Sequence, residues 1–268
     1  MKHFVTFIIL SLCLIGCTNN THDAEWNKID NCIQRSDTTA LQLLRKIGND
    51  KDNFSKADRM RYELLLASAH NKFFVSMESD STMKDVVDYY SDKGNDNERM
   101  DATYLLGCVY RDKGDAPRAL EYYEDAVESA DTTSSKCNHQ LLCRIYAQMA
   151  LLFQEQRSPK LELGMWNKAI KYAWMAKDTL LALNYIHGVG GAYYMMNRQK
   201  DALNNTLLVY NLYKKYGQIE WAADILAPII DDEINKGKYH DAKKHIDEYR
   251  YKSNAFNKQG NLKLGCEP

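Results

Sequence analysis

Four groups of residues have types that could do chemistry. Cys137, His139 and Cys143 lie within seven residues of each other, close enough for metal ligands. Their CxHxxxC pattern has no second half to complete a tetrahedral site, so His139 reads as a helix-cap or surface residue. In an exported chain Cys137 and Cys143 could instead pair, and their six-residue offset neither requires nor forbids a bridge. His240 and His245 are five apart, not the four that sets two imidazoles on one helical face, and read as surface residues. Gly188-Val189-Gly190-Gly191 has neither a preceding strand nor a following Lys-Ser/Thr, so it reads as close helix packing rather than a phosphate loop. Asp231, Asp232 and Glu233 are adjacent carboxylates of a solvated helix face. No nucleophile–base constellation stands out, and no enzyme activity, cofactor or metal is expected.

What remains is recognition, and it depends on how helices are spaced. In Tyr104–Val127, YLLGCVYRDKGDAPRALEYYEDAV, Leu106-Gly107 is followed by Tyr110, Gly114-Asp115, Ala119, Tyr123 and Ala126. That spacing resembles one tetratricopeptide repeat, two antiparallel helices joined by a tight turn. Gly107 and Ala119 are the small residues of the close contact, and Tyr110 and Tyr123 fill the space around them. Gly114 supplies the turn, Asp115 can cap the second helix, and Pro117 falls in its first turn. The repeat's usual Trp slot holds Thr103, and its usual closing Pro slot holds Asp131.

The same register runs along the chain. Helical pairs are expected at Glu25–Gln34 with Thr39–Ile47, and at Lys56–Lys72 with Ser81–Tyr90. Beyond the repeat come Gln140–Gln156 with Met165–Lys177, Thr179–Met196 with Lys200–Tyr216, and Glu220–Lys236 with Tyr239–Tyr251. Arg157–Gly164 reads as an enlarged turn. Lys28, Ala67, Gly107, Ala150, Gly190 and Ile230 occupy equivalent positions, about 39 to 43 residues apart, against roughly 34 in the standard unit. Pro228 predicts a kink or a new segment near Ala227. The fold class expected is all-α: a right-handed superhelix of antiparallel helix pairs, an α-solenoid, over residues 25–252. Residues 253–268 read as a frayed tail.

With 268 residues, a formal charge of -1 and only 4 prolines, the chain suits one continuous helical body. The balanced charge gives no reason to expect nucleic acid. At the N-terminus, Lys2 precedes an apolar run, Phe4–Gly16, too short to span a bilayer but suited to a signal peptide. The run ends in LIGC and resembles a bacterial lipobox. That resemblance implies cleavage after residue 16, lipidation of Cys17 and stable membrane anchoring, because each buried methylene contributes roughly 0.8 kcal/mol. Residues 17–24 read as a tether. Thr18 after the cysteine implies the outer membrane, facing periplasm or surface, under the sorting rule of some Gram-negative lipoproteins.

Stacked helix pairs make a groove lined by the first helix of each pair. By the repeat register, Tyr104, Arg111, Asp112, Arg144, Gln154, Asn184, His187 and Tyr194 should face it. Aromatic area with charged hydrogen bonding suits an extended peptide. The Lys/Asn pattern that clamps a C-terminal carboxylate is missing, with Tyr104 and Cys108 in the comparable slots.

With LIGC, TTALQLLRKI, YELLLASAHNK and SDSTMKDVVDYY, the chain resembles the tetratricopeptide lipoproteins of the Bacteroidota. That resemblance implies a lipid-anchored scaffold of the cell envelope with a protein or peptide partner. Relatives that continue into a transmembrane helix favour an alternative, a shortened sensory ectodomain acting through a membrane partner. A glycan-binding uptake lipoprotein is a third reading, and titration with oligosaccharides would test it.

Overall fold

The protein is described from a computed structural model, which covers residues 22–77, 79–257, 261 and 263. Cys17, the expected signal peptide and most of the expected tether lie outside the described residues. Thirteen α-helices are present among them. Their contacts gather into two units.

The first unit holds α1 (Asp23–Gln34), α2 (Thr39–Gly48), α3 (Lys56–Lys72), α4 (Ser81–Lys93) and the latter part of α5 (Asp96–Asp112). In α1, Trp26, Ile29 and Ile33 recur at helical spacing and are buried. They meet Ala40 and Leu44 of α2 and Tyr62, Leu65 and Ala69 of α3 in one core. Ser55 caps α3, its Oγ accepting from the Asp58 amide at 3.1 Å. Asp80, ahead of α4, accepts hydrogen bonds from Lys113, from Lys84 Nζ at 2.7 Å and from the Tyr110 hydroxyl at 3.0 Å. These bonds, that from Lys113 foremost, hold its carboxyl well below the usual range.

The second unit holds residues 96–104 of α5 and the remaining helices. These are α6 (Ala116–Glu128), α7 (His139–Glu155), α8 (Pro159–Met175), α9 (Thr179–Met195) and α10 (Gln199–Lys215), then α11 (Ile219–Asp224), α12 (Ala227–Asn235) and α13 (Tyr239–Lys252). From α7 onward, helices begin at 139, 159, 179, 199, 219 and 239, with α12 as the one extra start. Each of α7 to α10 has 17 residues. The connecting turns repeat with the same period. Arg157, Lys177, Asn197, Gly217 and Gly237 all have φ between +52° and +73°. Each donates its N–H to the carbonyl three residues back, and the next residue donates five back, as at Lys177→Trp174 (3.0 Å) and Asp178→Ala173 (3.0 Å). This left-handed cap reverses the chain in three residues. From α7 to α10 the longer repeat therefore comes from long helices, not long turns.

Three expectations need correction. The enlarged turn Arg157–Gly164 is a three-residue turn, and α8 starts six residues earlier than expected, at Pro159. Proline is favoured in a first turn because its missing N–H has no partner there anyway. The tail is not frayed throughout: Ser253 is buried, and Asn254 donates its backbone N–H and its side-chain Nδ2 to Asp224, at 2.7 and 3.1 Å. His245 is no simple surface residue, since its Nδ1 lies 2.9 Å from Glu233 Oε2, joining α13 to α12. Near Pro228 the helix breaks as expected, α11 ending at Asp224 and α12 opening at Ala227.

Candidate functional site

The 40-residue period puts the first helices of successive pairs in register. Arg144 on α7 corresponds to Asn184 on α9 and Asp224 on α11. Leu151 corresponds to Gly191 and Asp231, and Gln154 to Tyr194 and Ile234. On α7 and α9 these positions follow steps of seven and three residues, which share one helical face. Leu151, Gln154, His187, Tyr194, Asp231 and Ile234 are all exposed. Apolar and hydrogen-bonding groups therefore alternate along a first-helix face. Leu151, Asp231 and Ile234 were missed from sequence, although the constant 40-residue offset would have found them; Asp224, at the same register, is taken by Asn254.

The expected groove residues fare unequally. Tyr194 is 63% exposed. Asn184 is half-buried, and its Oδ1 accepts from the Tyr213 hydroxyl at 2.6 Å, which fixes its amide. His187 is exposed, yet the protein around it desolvates the imidazole and holds its pKa below the ordinary value. Arg144 is half-buried on α7. Gln154 Nε2 donates to Glu162 Oε1 at 3.3 Å.

The other three are not available in this way. Tyr104 is 5% exposed and its ring lies 5.6 Å from that of Tyr123, so it is a core residue. The long tyrosine fills the contact where a groove residue would project. Arg111 and Asp112 belong to the first unit, where they hold its parts together. Arg111 Nη2 donates to Asn71 Oδ1 at 3.1 Å and to Asp112 Oδ1 at 2.6 Å, and Asp112 Oδ2 accepts the Met77 amide at 3.3 Å.

The glycine cluster does pack helices. A Cβ on Gly188 would lie 2.7 Å from the Trp166 ring, and one on Gly190 would lie 2.9 Å from Asn205 Nδ2. Beside Gly191 lies a group that sequence reading did not single out, the carboxylate of Glu162. It is 1% exposed, and its Oε1 also accepts the Trp166 indole N–H at 3.2 Å. Burial raises its pKa.

Cys137 and Cys143 are free thiols, and the buried Cys143 is pushed up to about 11 by desolvation. His139 stacks on Tyr172, with ring centroids 6.0 Å apart. Among the described residues no three His, Cys, Asp or Glu side chains are placed to hold a metal, and no helix is long and apolar enough to cross a membrane.

No protein-family model matches the sequence, and the search of curated proteins returns no match. Solved structures do resemble it. The nearly identical tetratricopeptide-like repeats of a putative kinesin light chain from Podosopora anserina align with a TM-score of 0.54 at 16% identity, over 73% of this chain and 96% of that one. BtubC (BKLC) from P. vanneervenii aligns with a TM-score of 0.56 at 12% identity, over 86% and 90%. A signal transduction ATPase with numerous domains and a tetratricopeptide repeat sensor, from Pyrococcus horikoshii, aligns with a TM-score of 0.58 at 15% identity, over 84% of this chain and 35% of that one. The fold is a tetratricopeptide-like repeat solenoid.

Proposed function

We propose that this chain is a non-catalytic scaffold that binds an extended protein segment along its first-helix face, and that Cys17 carries the lipid that anchors it in the cell envelope. The observation that carries the reading is the register. Two successive first helices, α7 and α9, offer side chains at equivalent positions, and the same 40-residue offset continues onto α12 past the break, so a linear segment crossing them meets a new set with each pair. Leu151, Tyr194 and Ile234 offer apolar contact, and Arg144, Gln154, His187 and Asp231 offer hydrogen bonds. The LIGC motif supports the anchor, and Thr18 supports the outer membrane.

A sensory role is the second reading. It is supported by the likeness to a solenoid that serves as a sensor in the Pyrococcus horikoshii protein.

Two experiments test the proposal. Growth with a labelled fatty acid should label the wild type but not Cys17→Ser, and equal labelling would remove the anchor. A photo-crosslinking residue at position 194 or 154, in intact cells, should capture one envelope protein that the same residue at 208, on α10, does not. An integral membrane regulator as that protein would favour the sensory reading. Capture from 208 as readily as from 194 would contradict binding along this face.

A further inference from the structure

Glu162 sits in the first turn of α8, between α7 and α9, and is 1% exposed. Its partners among the described residues are two neutral donors, Trp166 Nε1 at 3.2 Å and Gln154 Nε2 at 3.3 Å. Both are on Oε1, and Oε2 accepts from no described residue. A carboxylate taken out of water this completely ordinarily has a cationic partner. Among the described residues no lysine, arginine or histidine supplies one here.

The neighbouring backbone shows where such a partner would approach. Gly191 is the middle member of the face positions Leu151, Gly191 and Asp231, and the only one without a side chain. The atoms nearest to a Cβ placed there are Gln154 Nε2 at 3.5 Å and Glu162 Oε1 at 4.0 Å. Gln154 is exposed and unbranched, so its amide can rotate away without disturbing the core. The face therefore has a gap in its side-chain cover, and beneath it lies a carboxylate screened by one replaceable hydrogen bond.

Resting on the reading of the first-helix face as a binding surface, we propose that Glu162 is a receptor for the guanidinium of an arginine in the bound segment, admitted beside Gly191 when the Gln154 amide turns aside. Guanidinium suits this site better than ammonium: it is more weakly hydrated, and its planar fork of donors matches a carboxylate that already accepts the Trp166 indole N–H.

The Trp166 indole N–H is a built-in reporter. The chain has four tryptophans, and the indole cross-peak that moves most in Glu162→Gln identifies Trp166. The probe is n-butylguanidinium, with n-butylurea as its neutral isostere. The cation should shift the Trp166 peak saturably and the urea should not. Glu162→Gln, which keeps the size and one acceptor oxygen, should weaken the response at least about tenfold. Gly191→Ala, which leaves the carboxylate but fills the gap, should weaken it as well, and Gln154→Ala should strengthen it. No shift with the cation, an equal shift with the urea, or a response indifferent to Glu162→Gln would overturn the proposal. A segment captured from position 194 whose binding ignores Glu162→Gln would remove the pocket and leave the face reading standing. Capture that fails from every position on the face, with the guanidinium response intact, would do the reverse.

Discussion

Gly190 and Asn205 are locked against each other across the α9–α10 contact. Asn205 Nδ2 donates to the Ile186 carbonyl at 2.9 Å, and a methyl on Gly190 would lie 2.9 Å from that same nitrogen. In an open helix, glycine to alanine gains about 1 kcal/mol from propensity. Here the new carbon must displace a buried amide from its carbonyl, which costs about 1–3 kcal/mol. Gly190→Ala should therefore destabilise the fold on balance, read as a lower urea midpoint. A rise in the midpoint would show that Asn205 moves freely.

The periodic turns make a graded prediction. Arg157 and Lys177 hold a left-handed conformation that costs a residue with a Cβ roughly 1–2 kcal/mol, whereas Asn197 tolerates it better. Replacing Arg157 or Lys177 with glycine should stabilise by up to about 1 kcal/mol, and Asn197→Gly by less. Gly217→Ala should destabilise by about 1 kcal/mol, since nothing but its backbone conformation opposes the methyl. Thermal unfolding of the four variants checks the order.

Arg111 and Tyr194 should separate cleanly. Arg111 ties the end of α5 to Asn71 on α3, so Arg111→Ala should lower stability by about 1–2 kcal/mol. Tyr194 is exposed, and Tyr194→Ala should change stability by less than about 0.5 kcal/mol. Chemical denaturation of both decides it. If Arg111→Ala is neutral, the cross-link to Asn71 is not a structural tie.

Glu162 gives a pH dependence of definite sign. Its folded pKa is raised, so its contribution is most favourable below the unfolded carboxylate pKa and is lost as pH rises through the folded value. Glu162→Gln keeps an acceptor for Trp166 and cannot ionise. Relative to the wild type it should gain stability as pH rises from acid towards neutral. A constant difference across that range would mean that Glu162 titrates in the fold as it does unfolded.

Much of the fold was legible in the sequence because 3.6-residue periodicity and turn residues agreed. Lys56–Lys72 was read to the residue, Gly114 marked its turn, and Pro228 marked a break. The misread boundary at Pro159 came from taking proline as a loop residue where it opens a helix. Arg157 falls in the expected turn, but its residue type gave no sign of the left-handed conformation it takes there. The face was only half legible. Register identified Gln154, His187 and Tyr194 but could not tell a projecting tyrosine from one turned inward, as Tyr104 is. Glu162 left no signal, because it fell in the expected enlarged turn, where a carboxylate reads as an ordinary exposed residue until the neighbouring helices are seen to close over it.

A partner that binds along the first-helix face must be sensitive to α9 and indifferent to α10. The most direct measurement is the affinity of the segment captured from position 194 for two paired variants. The first is His187→Ala with Tyr194→Ala, on α9. The second is Leu207→Ala with Leu208→Ala, on α10, where both leucines are also exposed. Binding along this face requires at least about a tenfold loss for the first pair and little change for the second. Equal losses, or a loss confined to the second pair, would contradict it.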